Sequence, residues 1–184
     1  MIGSGAELVR QYLVECIAVE RANYSRLHEF ALSAIDDEEV QGLLSGYEDQ
    51  TARQLELLAA RLGALGGGEI SHGEGILEAT VHLGPNLAES DHIPEERILH
   101  SLIATYTAAS GDFAAYEALA TMAVAAGDPE TEVLARQIQA EHKVVAENLW
   151  HLLPSRSKIA FNMLTVSEVD PAVETKMADD RLES

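Results

Sequence analysis

The strongest constraint on the fold is the recurrence of apolar residues at intervals of three and four along most of the chain. Such spacing lines one face of a helix with apolar side chains, and the many Ala, Leu and Glu residues favour helix over strand. The sequence therefore predicts an all-α protein with four long helices. Their expected ranges are roughly 5–33, 37–63, 95–126 and 129–152.

Residues typical of helix ends stand at the expected boundaries. Capping-box pairs and first-turn prolines mark helix starts, and glycine marks a helix end. An interior proline removes a backbone hydrogen bond, so we expect Pro154 to end the fourth helix. The other boundary residues are the pairs Ser4–Glu7 and Asp36–Glu39, followed by Pro94, Gly127 and Pro129.

The lengths of the connections predict the topology. Short turns at 34–36 and 127–128 predict two antiparallel hairpins, and about thirty residues separate the second helix from the third. Two hairpins joined by a long crossover are the connectivity of a ferritin-like antiparallel four-helix bundle. The crossover begins with a flexible glycine run at 66–68 and is expected to contain a short helix at 73–89, interrupted at Gly84 and Pro85. We expect residues 1–154 to form the bundle, 155–166 a short docking segment, and 167–184 an acidic disordered tail.

Composition excludes several classes of function. The chain has 31 Asp and Glu against 12 Lys and Arg, a net charge of −19, which argues against nucleic acid or an anionic membrane as partner. Its single cysteine, Cys16, is expected in the core and allows neither an internal disulfide nor a thiolate zinc site. The first residues do not have the pattern of a signal peptide, and no apolar run is long enough for a membrane span. These features predict a cytoplasmic protein.

The predicted buried seams are apolar at both ends of each helix and polar in the middle. Positions alternately four and three apart place Glu20, Asp112 and Glu141 in the core, with Gln54 on the second helix and Gln50 on its flank. Buried carboxylates need hydrogen-bond donors, protonation or a metal ion. The residues His100, His142 and His151 are expected to flank the seams in surface or packing roles. The predicted seam of the fourth helix is Leu134, Ile138, Glu141, Val145, Asn148 and Leu152.

Three stretches share their pattern with one protein family. Residues 15–21 resemble the family's first-helix motif Asp-x-x-x-Ala-Glu-Lys. Residues 47–56 resemble its motif Glu-Glu-Thr-x-x-His. Residues 115–123 resemble its third-helix motif Ser-Tyr-Gly-Thr-Leu-Ala-x-Leu-Ala. In these stretches the chain resembles the ferritin-like stress proteins of the YciE/YciF type, over about residues 8–152. The resemblance implies a ferritin-like fold, a stress-response role and an inherited dimetal carboxylate site. The positions at or beside its ligands are Glu20, Asp49, Gln50, Gln54, Asp112 and Glu141.

The same resemblance predicts that this site is degenerate. The residues at 109–112 are Ala-Ser-Gly-Asp where the family has Glu-His-Tyr-Glu, and Gln54 stands at the position of a second family histidine. Two interpretations follow from the remaining residues. In one, the site binds Fe or Mn weakly; in the other, amides from Gln50 and Gln54 satisfy the carboxylates without metal, and the bundle is a non-catalytic interaction or structural module. We expect a homodimer in either case.

Overall fold

The computed structural model describes residues 4–67 and 92–167. These residues form four helices: α1 (Gly5–Ser33), α2 (Glu38–Ala64), α3 (Pro94–Ala126) and α4 (Pro129–Ser167). Within these two ranges there is no strand, so the all-α four-helix prediction is confirmed. The predicted crossover helix at 73–89 and most of the predicted tail lie outside the described residues.

The helix ends follow from local hydrogen bonding. At α1 the Glu7 amide donates to Ser4 Oγ (3.3 Å) and the Ser4 amide donates to the Glu7 carboxylate (2.6 Å), which confirms the predicted capping box. At α2 the cap is Asp37, whose side chain accepts from the Val40 amide, so the prediction of Asp36 was wrong by one residue. Gly127 ends α3 with a φ of 72°, a left-handed conformation that glycine adopts without steric cost.

Side-chain contacts establish the arrangement of the helices. Asn23 of α1 bonds Asp112 of α3, and Gln54 of α2 bonds Glu141 of α4. The start of α1 packs near the end of α3, since a Cβ added at Gly5 would lie 3.4 Å from the Ala126 side chain. Helix α1 is therefore antiparallel to α2 and α3, and α4 is antiparallel to both of those helices. The chain leaves α2 at one end of the bundle and enters α3 at the other, as the predicted crossover requires.

The core consists of two hydrophobic clusters with a polar layer between them. One cluster lies toward the α1–α2 turn and includes Phe30, Leu44 and Leu102. The other lies toward the opposite end and includes Leu13 and Leu58. The spacing of four and three predicts seams from Val9 to Phe30 in α1, from Val40 to Leu58 in α2 and from Ile98 to Ala123 in α3, and every position on them is buried. None of the described helices combines the length and the apolar character needed to cross a membrane.

Helix α4 does not end at Pro154 but continues to Ser167, so the predicted end was wrong. Contacts beyond the proline compensate for the hydrogen bond that it removes. The Arg156 guanidinium donates to Asp37 through Nε (2.9 Å) and Nη2 (2.8 Å), and Nη2 also donates to Glu39 (2.7 Å). Ala160 is buried. This stretch thus extends the helix and contacts the α1–α2 end of the bundle.

Candidate metal centre

Three titratable side chains from three helices meet in the polar layer. Glu20 comes from α1, Asp112 from α3 and His142 from α4, and each offers a ligand atom within 4.8 Å of the others. All three are buried, with Glu20 1%, Asp112 5% and His142 0% exposed. Ligands of one metal ion, at bonds of about 2.0–2.2 Å, lie roughly 3–4 Å apart, so this spacing is compatible with a shared cation.

A dense hydrogen-bond network surrounds Glu20. Its Oε1 atom accepts from the Tyr116 hydroxyl (2.8 Å) and from His142 Nε2 (2.9 Å). The imidazole of His142 stacks on the Tyr116 ring, with centroids 5.3 Å apart. Because a carboxylate only accepts, the proton in the contact with His142 belongs to Nε2. Glu20 is therefore held from two helices at once.

The other nitrogen of His142 contacts α2. Tyr47 Oη lies 2.9 Å from His142 Nδ1, and the two rings meet edge to face. Burial alone would lower the pKa of His142. The hydrogen bond with Glu20 and the negative charges of Glu20, Asp112 and Glu141 outweigh it, so the pKa is raised above 6.5. The imidazolium is thus favoured by its carboxylate neighbours.

This environment strongly perturbs the carboxyl group of Asp112. Burial, followed by the charge of Glu20, raises its pKa from 3.8 to about 7. The nearby His142 and a hydrogen bond from Asn23 Nδ2 (2.8 Å) oppose this rise. Asp112 Oδ2 lies 3.9 Å from His142 Nδ1. Near neutral pH the protonated and ionised forms of this carboxyl group are therefore both populated, and a cation would favour the ionised form.

The structure brings together only part of the predicted ligand set. Glu20 and Asp112 lie in the three-residue group, whereas half-buried Glu141 accepts from Gln54 Nε2 (2.7 Å) and from Gln137 (3.2 Å). Gln54 is buried and Gln50 is half-buried. Asp49 is exposed and points away from the core, although the family resemblance places it at an acid position. The Gln54–Glu141 pair is the amide–carboxylate contact that the sequence predicted.

The prediction for α4 was wrong in its register. Its buried residues include Ala135, Ile138, His142, Val145 and Leu149, whereas Asn148 is exposed and Glu141 is half-buried. Both registers share Ile138 and Val145 and differ by a rotation of about one residue, so periodicity alone did not separate them. As a result His142, expected beside the seam, lies in the core. In the observed register the apolar residues Ala135 and Leu149 lie on the same helix face as His142. The apolar Leu149, in place of the polar Asn148, is the sequence signal that favours this register.

Buried polar atoms test whether a cation fits. Among residues 4–67 and 92–167, Glu20 Oε2 has no hydrogen-bond partner, and the same holds for Gln50 Nε2, Thr51 Oγ1 and Gln54 Oε1. A buried carboxylate oxygen without a donor is costly, and a metal ion would satisfy it. Two carboxylates and one imidazole suit Fe(II) or Mn(II). The residues therefore fit a single ion.

Cys16 lies one helical turn before Glu20 on the same seam. Burial, reinforced by the negative charges of Glu20, Asp112 and Glu15, strongly raises the pKa of its thiol. A thiol held in the protonated form is a poor metal ligand and a poor nucleophile. Cys16 therefore packs as a small core residue, in agreement with the prediction.

Comparisons with known proteins bear on the fold. The chain matches no protein-family model and no curated protein sequence. Among solved structures it is similar to the E. coli stress protein YciF, with a TM-score of 0.74 and 18% identity over 86% of this chain and 99% of that one. It is also similar to a protein from Xanthomonas campestris pv. campestris, with a TM-score of 0.73 and 17% identity over 89% and 99% of the chains. The chain thus has the all-α four-helix fold of these two structures.

Proposed function

We propose that this chain is a ferritin-like stress-response protein whose remaining core site binds one Fe(II) or Mn(II) ion through Glu20, Asp112 and His142. The observation that supports it is the convergence of these three buried side chains, together with the absence of a hydrogen-bond partner for Glu20 Oε2 among the described residues. The stress role extends to this chain what is said of the similar E. coli protein. A cytoplasmic location, and the absence of nucleic-acid or membrane partners, remain predictions from composition.

The surrounding residues position the three ligands. Tyr116 and Tyr47 hold Glu20 and His142 by hydrogen bonds, and Asn23 holds Asp112. Tertiary packing thus pre-organises the site, which reduces the ordering cost of binding. A bound ion would supply Lewis acidity and, for iron, a redox-active centre.

The same contacts predict weak binding. Glu20 Oε1 and His142 already bond each other, so a cation must replace one of their hydrogen bonds. It must also displace the protons that the environment favours on Asp112 and His142. Three protein ligands are fewer than the six that a ferritin-like dimetal site takes from its four helices. We therefore expect the core site to bind one metal equivalent and not two.

Metal analysis of untagged protein tests the proposal. In equilibrium dialysis against excess Mn(II), or against Fe(II) under anaerobic conditions, we expect retention near one equivalent per chain. Glu20→Gln removes the anionic ligand and keeps a similar shape, so retention should fall at least tenfold. Glu29→Gln changes the same charge at an exposed position of the same helix and should retain metal like the wild type. Equal retention by the wild type and Glu20→Gln would contradict the proposed site.

A second candidate is a metal-free bundle that acts as a dimeric interaction module. Two observations favour it. Glu20, Asp112 and Glu141 each accept at least one side-chain hydrogen bond. A surface groove of about 410 Å³ also runs between α3 and α4, and it includes Trp150 and Phe113, which are 58% and 39% exposed. Exposed aromatic residues in a groove are typical of interaction surfaces.

Sedimentation measurements test the proposed dimer interface, and together with the metal analysis they separate the two candidates. If the groove is a dimer interface, the wild type should be dimeric at micromolar concentration and Trp150→Glu should be monomeric with an unchanged helical content. Val133→Glu is a matched control, since Val133 is 67% exposed near the start of the same helix. A monomeric wild type would exclude the dimer. A dimer that retains no metal would favour the interaction module over the metal site.

A further inference from the structure

We propose that His92, Glu96 and His100 form a second, separate metal site, for a divalent cation that prefers imidazole ligands, with Zn²⁺ as the representative. The three residues lie at the start of α3, at the end of the bundle that carries the α1–α2 turn. Each offers one ligand atom, and these atoms lie within 4.8 Å of one another. The site shares no residue with the core group of Glu20, Asp112 and His142.

The spacing of these residues along the chain places them together. Glu96 and His100 stand four residues apart within α3 and so lie on the same helix face, and His92 stands four residues before Glu96, just outside the helix. His92 directly precedes the N-cap residue Ile93, Glu96 lies in the first turn, and His100 lies one turn further. His92 Nδ1 is 2.7 Å from Glu96 Oε2, and the rings of His92 and His100 are 4.7 Å apart at 81°.

A separate observation concerns His100. Its Nδ1 atom is buried, yet it has no hydrogen-bond partner in the described part of the chain. A buried ring nitrogen without a partner loses the hydrogen bond that it would make to water. A cation shared with His92 and Glu96 would satisfy it. All three side chains are half-buried, so an ion could reach them and still retain water ligands.

The donor set determines the class of metal. Two imidazoles and one carboxylate, with further positions left for water, are the ligands of many zinc sites with three protein ligands. Cu(II) and Ni(II) also favour imidazole, whereas Mn(II) and Mg(II) favour oxygen. The core group, with two carboxylates and one imidazole, has the opposite balance. The two sites should therefore differ in metal preference.

The helix dipole opposes this site, but only weakly. The first turn of a helix carries a fraction of one positive charge, which disfavours a cation near it only slightly. The acidic residues Glu95 and Glu96 stand in this same turn and offset that charge. Three direct ligands outweigh a residual effect of this size.

The competing interpretation is an ordinary histidine–carboxylate hydrogen bond. The chain contains such a pair elsewhere, since His28 Nδ1 lies 3.0 Å from Glu48 Oε1. No third ligand accompanies that pair among the described residues. The pair of His28 and Glu48 has the same kind of contact as His92 and Glu96 but no counterpart of His100. A variant of His28 is therefore a matched control for the histidine variants of the proposed site.

Calorimetric titration of untagged protein with Zn²⁺ tests the inference. The wild type and Glu20→Gln should both bind Zn²⁺ at this site. His92→Gln and His100→Gln should each lose this binding event or weaken it at least tenfold. His28→Gln should bind like the wild type. Glu20→Gln removes the proposed core site but leaves His92, Glu96 and His100 intact. Zn²⁺ binding in this variant therefore tests the second site whether or not the core site binds metal.

A spectroscopic measurement keeps the inference testable if a variant unfolds. In the Glu20→Gln background, Cu(II) electron paramagnetic resonance should show two equatorial imidazole nitrogens, and one in the His100→Gln variant. Saturating Zn²⁺ should also raise the melting temperature by a few degrees, because binding to the folded state alone stabilises it. Zn²⁺ binding that is unchanged in both His92→Gln and His100→Gln would overturn the site, as would a copper spectrum with a single nitrogen.

Discussion

His142 Nε2 and Glu20 Oε1 lie 2.9 Å apart in the middle of the bundle, and both side chains are essentially inaccessible to solvent. The contact joins α1 to α4, two helices at opposite ends of the sequence. The contact lies in the polar layer that separates the two hydrophobic clusters. Removing water from both groups is costly, and their mutual hydrogen bond offsets that cost only while both are present.

The first prediction concerns the coupling of this pair. In metal-free protein, His142→Leu should lower the free energy of unfolding by about 3–5 kcal/mol, because it leaves the Glu20 carboxylate with one donor. Glu20→Leu should have a similar effect. The double variant should be more stable than either single variant, since apolar replacement of both partners leaves no unpaired charge. Urea unfolding with a chelator present measures this, and additive losses would contradict the coupling.

The second prediction concerns pH. The pKa of Asp112 is raised from 3.8 to about 7, so the folded chain binds its proton more tightly than the unfolded chain does. The free energy of unfolding of the metal-free protein should therefore fall as pH rises from about 4 to 7. The raised pKa of His142 acts in the same direction, because the stability from the imidazolium is present below 6.5 and is lost at higher pH.

Variants at Asp112 test the origin of this dependence. Around Asp112 stand Glu20 and Asn23 from α1, Tyr47 from α2 and His142 from α4. Asp112→Asn should flatten the pH dependence between about 4 and 7. Glu29→Gln, an exposed change of equal charge, should leave the slope unchanged. An equal slope in Asp112→Asn and the wild type would show that other groups cause the dependence.

The third prediction concerns the part of α4 beyond Pro154. Arg156 bonds Asp37 and Glu39, and its guanidinium holds the pKa of Asp37 below 3.8. Arg156→Gln should lower the free energy of unfolding by about 1–2 kcal/mol and increase amide hydrogen exchange after Pro154. Lys158→Gln, an exposed change two residues later, should affect neither measurement.

The fourth prediction contrasts two glycines. A Cβ at Gly46, inside α2, would meet no atom within 4 Å, so Gly46→Ala should stabilise the protein by about 0.5–1 kcal/mol. Gly127 has a φ of 72°, so Gly127→Ala should destabilise it by about 1 kcal/mol or more. Shifts of the urea midpoint with the same sign for both variants would contradict a helical backbone at Gly46 together with a left-handed one at Gly127.

Much of the fold could be predicted because its determinants are local. The seams of α1, α2 and α3 follow from a single apolar periodicity, and the Ser4–Glu7 box and Gly127 mark helix ends by hydrogen bonds within a few residues. The expectation that a proline ends a helix failed at Pro154. The compensating contact joins Arg156 to Asp37, which lies more than a hundred residues away in sequence. Local patterns carry no information about such a partner.

The candidate core site was only half predictable. Glu20 and Asp112 interrupt apolar seams that have one possible register, so their burial could be inferred. His142 could not be placed, because α4 has two registers that share Ile138 and Val145. The second candidate site, at His92, Glu96 and His100, has regular spacing, but the side-chain contact depends on how the chain enters α3.

The sequence alone determined that the described residues form helices, where three of the four described helices bury their faces, and that carboxylates interrupt the core. Each of these properties depends on residue type and spacing within one helix. Only the tertiary structure decided which side of α4 faces inward and which groups meet between helices. The rotation of α4 is set by packing of His142 against Tyr47, Tyr116 and Glu20 from the other three helices, contacts between residues far apart in the chain.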